Sequence, residues 1–197
     1  GLVAGYLETA DPYLLETAQA VVDHAYWWDH SNWPRRSIGR DAAYARGLLA
    51  LADISDRDHY LNRAREALRR FAERQRPDGS FADQGGTVGL HSHVNEVVKT
   101  WMNSIMAEAM LDFLERARDP VIEKAFIRLA QWFVSATRRT SDGVPYWSYK
   151  YRDGDNILSK RLTKTRHSWD RRGFHAYLCR PLLSATRMTG DPRFVQL

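Results

Sequence analysis

Apolar residues recur along this chain at helical spacing, in two alternating kinds of segment. From about 59 to 75, Tyr60, Leu61, Ala64, Ala67, Leu68 and Phe71 form one stripe. Arg63, Glu66, Arg69, Arg70 and Glu73 hold the opposite face. Segment 120–138 repeats the pattern with Ile122, Ala125, Phe126, Leu129, Trp132 and Phe133. Segment 12–28 does so with Leu15, Ala18, Val21, Val22 and Ala25. Between these lie segments 40–53, 93–117 and 172–188, which are apolar nearly all round. A helix apolar on every side must be packed on every side, so these belong to an inner layer and the one-sided helices to an outer one. The pattern predicts an all-α fold of alternating inner and outer antiparallel helical hairpins. Pro181 is expected to kink or split the last inner helix.

The joints repeat as well. Asp11-Pro12, Asp58-His59, Asp119-Pro120 and Asp191-Pro192 each follow an apolar stretch and precede an amphipathic one. Asp caps the free amides of a helix start, and Pro is tolerated in the first turn. Re-entry into an equivalent helix four times, with unequal inserts between, is the signature of stacked hairpins. Inner-to-outer connections are short. The outer-to-inner connections, about 29–40, 76–92 and 140–172, are long and leave on one face, at the N-terminal ends of the inner helices. Long connections rich in aromatic residues are where such an array is expected to keep its function.

The phrase from Arg36 to Phe81, the second helix pair from His91 to Pro120, and the Asp hinges together resemble about half of an (α/α) toroid. That six-hairpin architecture is shared by many glycoside hydrolases and polysaccharide lyases. The resemblance covers nearly the whole chain and is architectural. It implies a single partial toroid domain over 1–197, cut at both ends, with the rest of the toroid missing. It also implies a carbohydrate-active enzyme, and it assigns no catalytic residue. The stretch Gln75–Phe81 also resembles the repeat motif of terpene cyclases. It occurs once, without an Asp-rich diphosphate motif, so a turn punctuated by Pro77 and Gly79 is the better account.

Composition narrows the chemistry. The chain has 197 residues, 44% of them hydrophobic, with seven Trp and nine Tyr, more aromatic side chains than one core absorbs. No apolar run is long enough to span a membrane. The single Cys179 excludes an internal disulfide framework and is expected to be a buried thiol. It does not fix the compartment, for which a periplasmic or secreted place is preferred. The formal charge of +5 is modest. Its distribution matters more, because basic residues outnumber acidic ones from Lys150 to Arg172.

Each long connection offers candidates. The first holds Trp33, Arg35, Arg36 and Asp41. Trp33 suits a sugar platform, and the arginines present planar donors to a uronate carboxylate. The plainer account of Asp41 is a helix-start acid. The second ends in His91, His93, Asn95 and Glu96, placed in the first turn of an inner helix. His and Asn suit proton abstraction beside a carboxylate, and Glu96 suits general acid or base work, against a plain capping role. The stretch is neither HExxH nor a Cys/His set, so no metal or cofactor is expected. In the third, Trp147, Tyr149 and Tyr151 alternate with polar residues, as in a short β-ribbon. Arg166, His167, Trp169 and Asp170 follow. Aromatic faces stack on sugar rings and a basic rim attracts an anionic chain. Single-stranded nucleic acid shares that signature, but no nucleic-acid module accompanies it.

Hydrolysis needs two carboxyl groups across the scissile bond, and Asp41, Glu96 and Asp170 each begin a different inner helix. A lyase needs instead a base and a group neutralising the uronate, as His91 or His93, Asn95, Tyr149 and Arg35 or Arg36 would supply. The expectation is a glycoside hydrolase acting on an acidic oligo- or polysaccharide, with a lyase second. A non-catalytic glycan-binding or helical-repeat scaffold is the third reading.

Overall fold

A computed structural model describes residues 1–32, 38–82, 97–139, 141, 143–147, 150–152 and 176–196. The described chain is all-α, with helices α1 (Leu2–Thr9), α2 (Pro12–Asn32), α3 (Ile38–Ile54), α4 (Arg57–Glu73), α5 (Thr100–Leu114), α6 (Pro120–Ala136) and α7 (Ala176–Thr189). A 3-10 turn, Pro192–Phe194, follows α7. Helix α5 packs between α3 and α7. Helices α4 and α6 pack on each other and against α3 and α5 respectively. Asp23 of α2 pairs with Arg63 of α4. One row is therefore α3, α5, α7, and a second row is α2, α4, α6. Among the described residues no helix is long and apolar enough to cross a membrane.

The outer-row stripes follow the sequence pattern closely. Tyr60, Leu61, Ala64, Leu68 and Phe71 of α4 are buried, as are all six stripe residues of α6. Burying each Phe or Leu contributes about 1.5–3 kcal/mol, which makes α6 the firmest outer element. Helix α2 departs from the pattern, because Val21 is 56% exposed while Ala18 and Val22 are buried.

The Asp hinges act as caps. Tyr13 N–H donates to Asp11, Val121 and Ile122 N–H to Asp119, and Arg193 N–H to Asp191. The second hinge is shifted: Asp56, not Asp58, accepts from His59 N–H, and α4 begins at Arg57. With two acids two residues apart, the earlier takes the cap and Asp58 falls in the first turn, where its charge still suits the helix dipole. Asp119 is only 1% exposed and also receives Arg69 at 2.8 Å, so this hinge ties α4 to α6.

The inner row departs from expectation in three places. Helix α5 starts at Thr100, not near 93, because Val97–Lys99 is a strand (β1). It pairs antiparallel with β4 (Lys150–Arg152), while β2 (Arg138–Arg139) pairs with β3 (Pro145–Tyr146). The aromatic stretch of the third connection therefore does contain strands, but they pair outward rather than with each other. Helix α7 runs through Pro181 unbroken. The proline sits near the helix start and forfeits a single ladder bond. Helix α7 is also one-sided: Leu178, Leu182 and Ala185 are buried, whereas Tyr177, Leu183 and Met188 are exposed. Cys179 lies off the buried row and is exposed, which corrects the expected buried thiol.

The core still runs through the inner row. Leu48 and Leu182 are buried, and Ile105 packs half-buried against the core. Helix α5 is not apolar throughout, however. Glu108, Asp112 and Glu115 on successive turns hold Arg180 of α7, the last two at 2.8 and 2.6 Å. Asp112 also takes Arg46 of α3 at 2.9 Å, and Arg116 pairs with Asp53 of α3.

Candidate functional site at the helix starts

The region where the long connections leave is built from the first turns of α3 and α5 and the last turn of α4. A tight hairpin between α3 and α4 brings Arg74, the residue after α4, back to the level of Asp41. Asp41 stands in the first turn of α3 and is 1% exposed. Burial pulls the Arg74 guanidinium below its ordinary value, and the nearby Asp41 charge opposes that shift. The Asp41 carboxylate is buried, and its charge acts on the Arg74 guanidinium, so the two groups share this end of the fold.

Trp101 in the first turn of α5 closes one side of this region. A Cβ on Gly39 would lie 3.0 Å from the Met102 side chain and 3.6 Å from the Trp101 ring, so the two inner helices meet closely there. The Trp101 indole N–H is buried and meets no acceptor among the described residues. Neither Arg74 nor Trp101 stands out in the sequence. Arg74 is one more arginine on an arginine-rich helix, and Trp101 reads as core.

The start of the second connection is a built turn, as its Pro-Asp-Gly punctuation predicts. Asp78 accepts from Ser80 N–H and Oγ–H, and Gln75 Nε2 donates to the carbonyls of Gly79 and Ala125, both at 2.8 Å. Gly79 has φ +91°, with its α-carbon facing the Arg128 carbonyl. Beyond the turn, Asn103 of α5 is fully buried. Its Oδ1 accepts from Phe81 N–H at 2.8 Å, and its Nδ2 donates to the carbonyls of Phe81 and Lys99.

Of the residues singled out from sequence, the structure describes the surroundings of two. Asp41 lies in the site region. Trp147 does not present a stacking face: it is 7% exposed, and its indole N–H donates to the Phe133 carbonyl at 2.8 Å. A ring so enclosed is core, unlike the substrate-binding aromatic expected at Trp147. Tyr151 lies in β4, and its side chain is outside the description. Trp33, Arg35, Arg36, His91, His93, Asn95, Glu96, Tyr149, Arg166, His167, Trp169 and Asp170 lie outside the described residues. Strand β1 separates Glu96 from α5, so His91, His93, Asn95 and Glu96 do not form that helix's first turn. Among the described residues no group of three His, Cys, Asp or Glu side chains is arranged to hold a metal.

Comparison with protein families, curated proteins and solved structures finds no match for this chain.

Proposed function

We propose that this chain is part of a carbohydrate-active enzyme on an (α/α) toroid, hydrolysing glycosidic bonds in an acidic, uronate-containing glycan. The observation that carries the reading is Asp41. It is a buried carboxylate at the start of an inner helix, near the half-buried Arg74, at the end of the fold where the long connections leave. The all-α build, with α5 packed between α3 and α7, supports this reading. In this reading Asp41 acts as general base or nucleophile, and Glu96 or Asp170 supplies the acid across the scissile bond. The basic residues of the third connection favour an anionic substrate.

The competing account is a helix-start acid neutralised by Arg74 for stability alone. One experiment separates the two. The protein is incubated with polygalacturonate and related uronate polymers, and both new reducing ends and ultraviolet-absorbing unsaturated ends are followed. Hydrolysis gives the first without the second, and elimination gives both. Asp41→Asn keeps the shape of the side chain and is expected to cut turnover by about a hundredfold or more while the thermal transition stays cooperative. Turnover by Asp41→Asn equal to wild type, or no release of either kind of end by wild type, refutes the assignment.

A further inference from the structure

We propose that Asn103 is a positioning residue that makes the second and third long connections a single mechanical unit. Three observations carry this. First, the fully buried Asn103 amide bonds to Phe81 through both its oxygen and its nitrogen, as a neighbouring strand would. Second, the same nitrogen donates to the Lys99 carbonyl at 3.0 Å, so one side chain holds the chain both where the second connection leaves the helices and where it returns. Third, Lys99 is also a rung of the β1–β4 ladder, opposite Lys150, with Val98 opposite Tyr151 and Val97 opposite Arg152. The third connection is thus fastened to the second through the residue that Asn103 grips. No apolar contact could do this, because backbone N–H and C=O groups entering a dry layer need partners of matching polarity.

Calling this end of the molecule a site rests on the proposed function, but the coupling itself does not and is measured without substrate. The measurement is amide hydrogen exchange, comparing Phe81, the ladder residues 97–99 and 150–152, and the core of α6 from Phe126 to Phe133. In Asn103→Ala, Phe81 and the ladder amides on both strands are expected to exchange at least about tenfold faster, while the α6 amides stay within about twofold of wild type. Asn103→Asp divides the two halves of the grip. Its carboxylate still accepts from Phe81 N–H but donates to neither carbonyl, so Phe81 stays slow and the ladder speeds up. The positioning role is overturned if the ladder amides of Asn103→Ala keep wild-type rates. It is equally overturned if α6 accelerates in parallel with them, or if Asn103→Asp changes Phe81 and the ladder by the same factor. Loss of activity on every glycan would leave these rates unaffected, so failure of the functional reading and failure of the coupling remain distinct.

Discussion

Replacing Gly79 with Ala tests whether the turn that begins the second connection is built against α6 or merely passes it. Gly79 adopts φ +91°, where a residue with a Cβ is strained by about 1–2 kcal/mol. The larger cost is steric. An added Cβ would lie 2.3 Å from the Arg128 carbonyl oxygen and 2.9 Å from its carbon. That oxygen belongs to a helix interior and cannot give way, so the turn must lift off α6. Lifting it strains the bond from Gln75 to the Ala125 carbonyl and those from Arg128 to the carbonyls of Arg76 and Pro77. At about 1 kcal/mol each, two or three such bonds bring the total to about 3–5 kcal/mol. Gly190 provides the control. Its φ is +74°, but an added Cβ would meet nothing within 4 Å, so Gly190→Ala carries the strain of about 1–2 kcal/mol alone. For a chain of this size 1 kcal/mol moves the melting temperature by about 2–4 °C. Gly79→Ala should therefore melt about 6–20 °C below wild type and clearly below Gly190→Ala, by circular dichroism with a two-state check in urea. Equal losses in the two variants would mean that backbone strain is the whole effect and the docking argument is wrong.

Trp147→Ala, a harmless change were the ring a ligand platform, should instead cost about 3–5 kcal/mol in urea denaturation, because it empties a core position and leaves the Phe133 carbonyl with the Thr137 hydroxyl as its remaining side-chain donor. A loss below about 1 kcal/mol would return the ring to the surface. The hydrogen bond from Arg116 holds the Asp53 carboxyl below its ordinary value of 3.8. The pair therefore stabilises the fold above that value, and the contribution is lost as pH falls through the lower folded-state value. With the Asp53 side chain 40% exposed it is worth no more than about 1 kcal/mol, and Asp53→Asn should flatten the acid limb of the stability profile by that amount. Identical acid limbs for wild type and variant would remove the claim.

Where the sequence was legible, local pattern and long-range packing agreed. The stripes of α4 and α6 are set by spacing alone, and a helix whose apolar residues fall on one side has one way to bury them. The caps at Asp11, Asp119 and Asp191 were legible because a single acid precedes each start, whereas Asp56 and Asp58 compete at the second. The start of α5 was not legible. Val97-Val98-Lys99 continues the apolar run of the helix after it, and what makes it a strand is a partner some fifty residues further on, at Lys150–Arg152. Short strands paired so remotely leave no periodicity to read. Trp147 failed for a related reason. Alternation of aromatic and polar residues describes a half-exposed ribbon, and nothing local reports that one ring finds a carbonyl at the end of α6. That Asp41 stands at an inner-helix start is visible from order alone, whereas the nearness of Arg74 depends on the α3–α4 hairpin and leaves no local signal.

The polar residues of α5 carry more of the architecture than its apolar ones. Met102, Met106, Met110 and Phe113 lie on one face of α5 and give it adhesion, and adhesion of that kind fixes neither a neighbour's register nor its identity. Asn103 fixes where two connections attach. Glu108, Asp112 and Glu115 fix where Arg180 of α7 arrives, and Asp112 and Arg116 fix α3 through Arg46 and Asp53. Each such bond returns only about 1 kcal/mol net, because the groups were already solvated in the unfolded chain. Their consequence lies in what they forbid. A slide of α7 along α5 by one turn would leave Glu108, only 9% exposed, without its guanidinium, and a stranded buried charge costs about 3–5 kcal/mol. A row of similar apolar helices is free to slip, and the charged row on α5 is what makes one alignment of α3, α5 and α7 lower in energy than its neighbours. The helix starts that carry Asp41 and Trp101 inherit their spacing from that alignment.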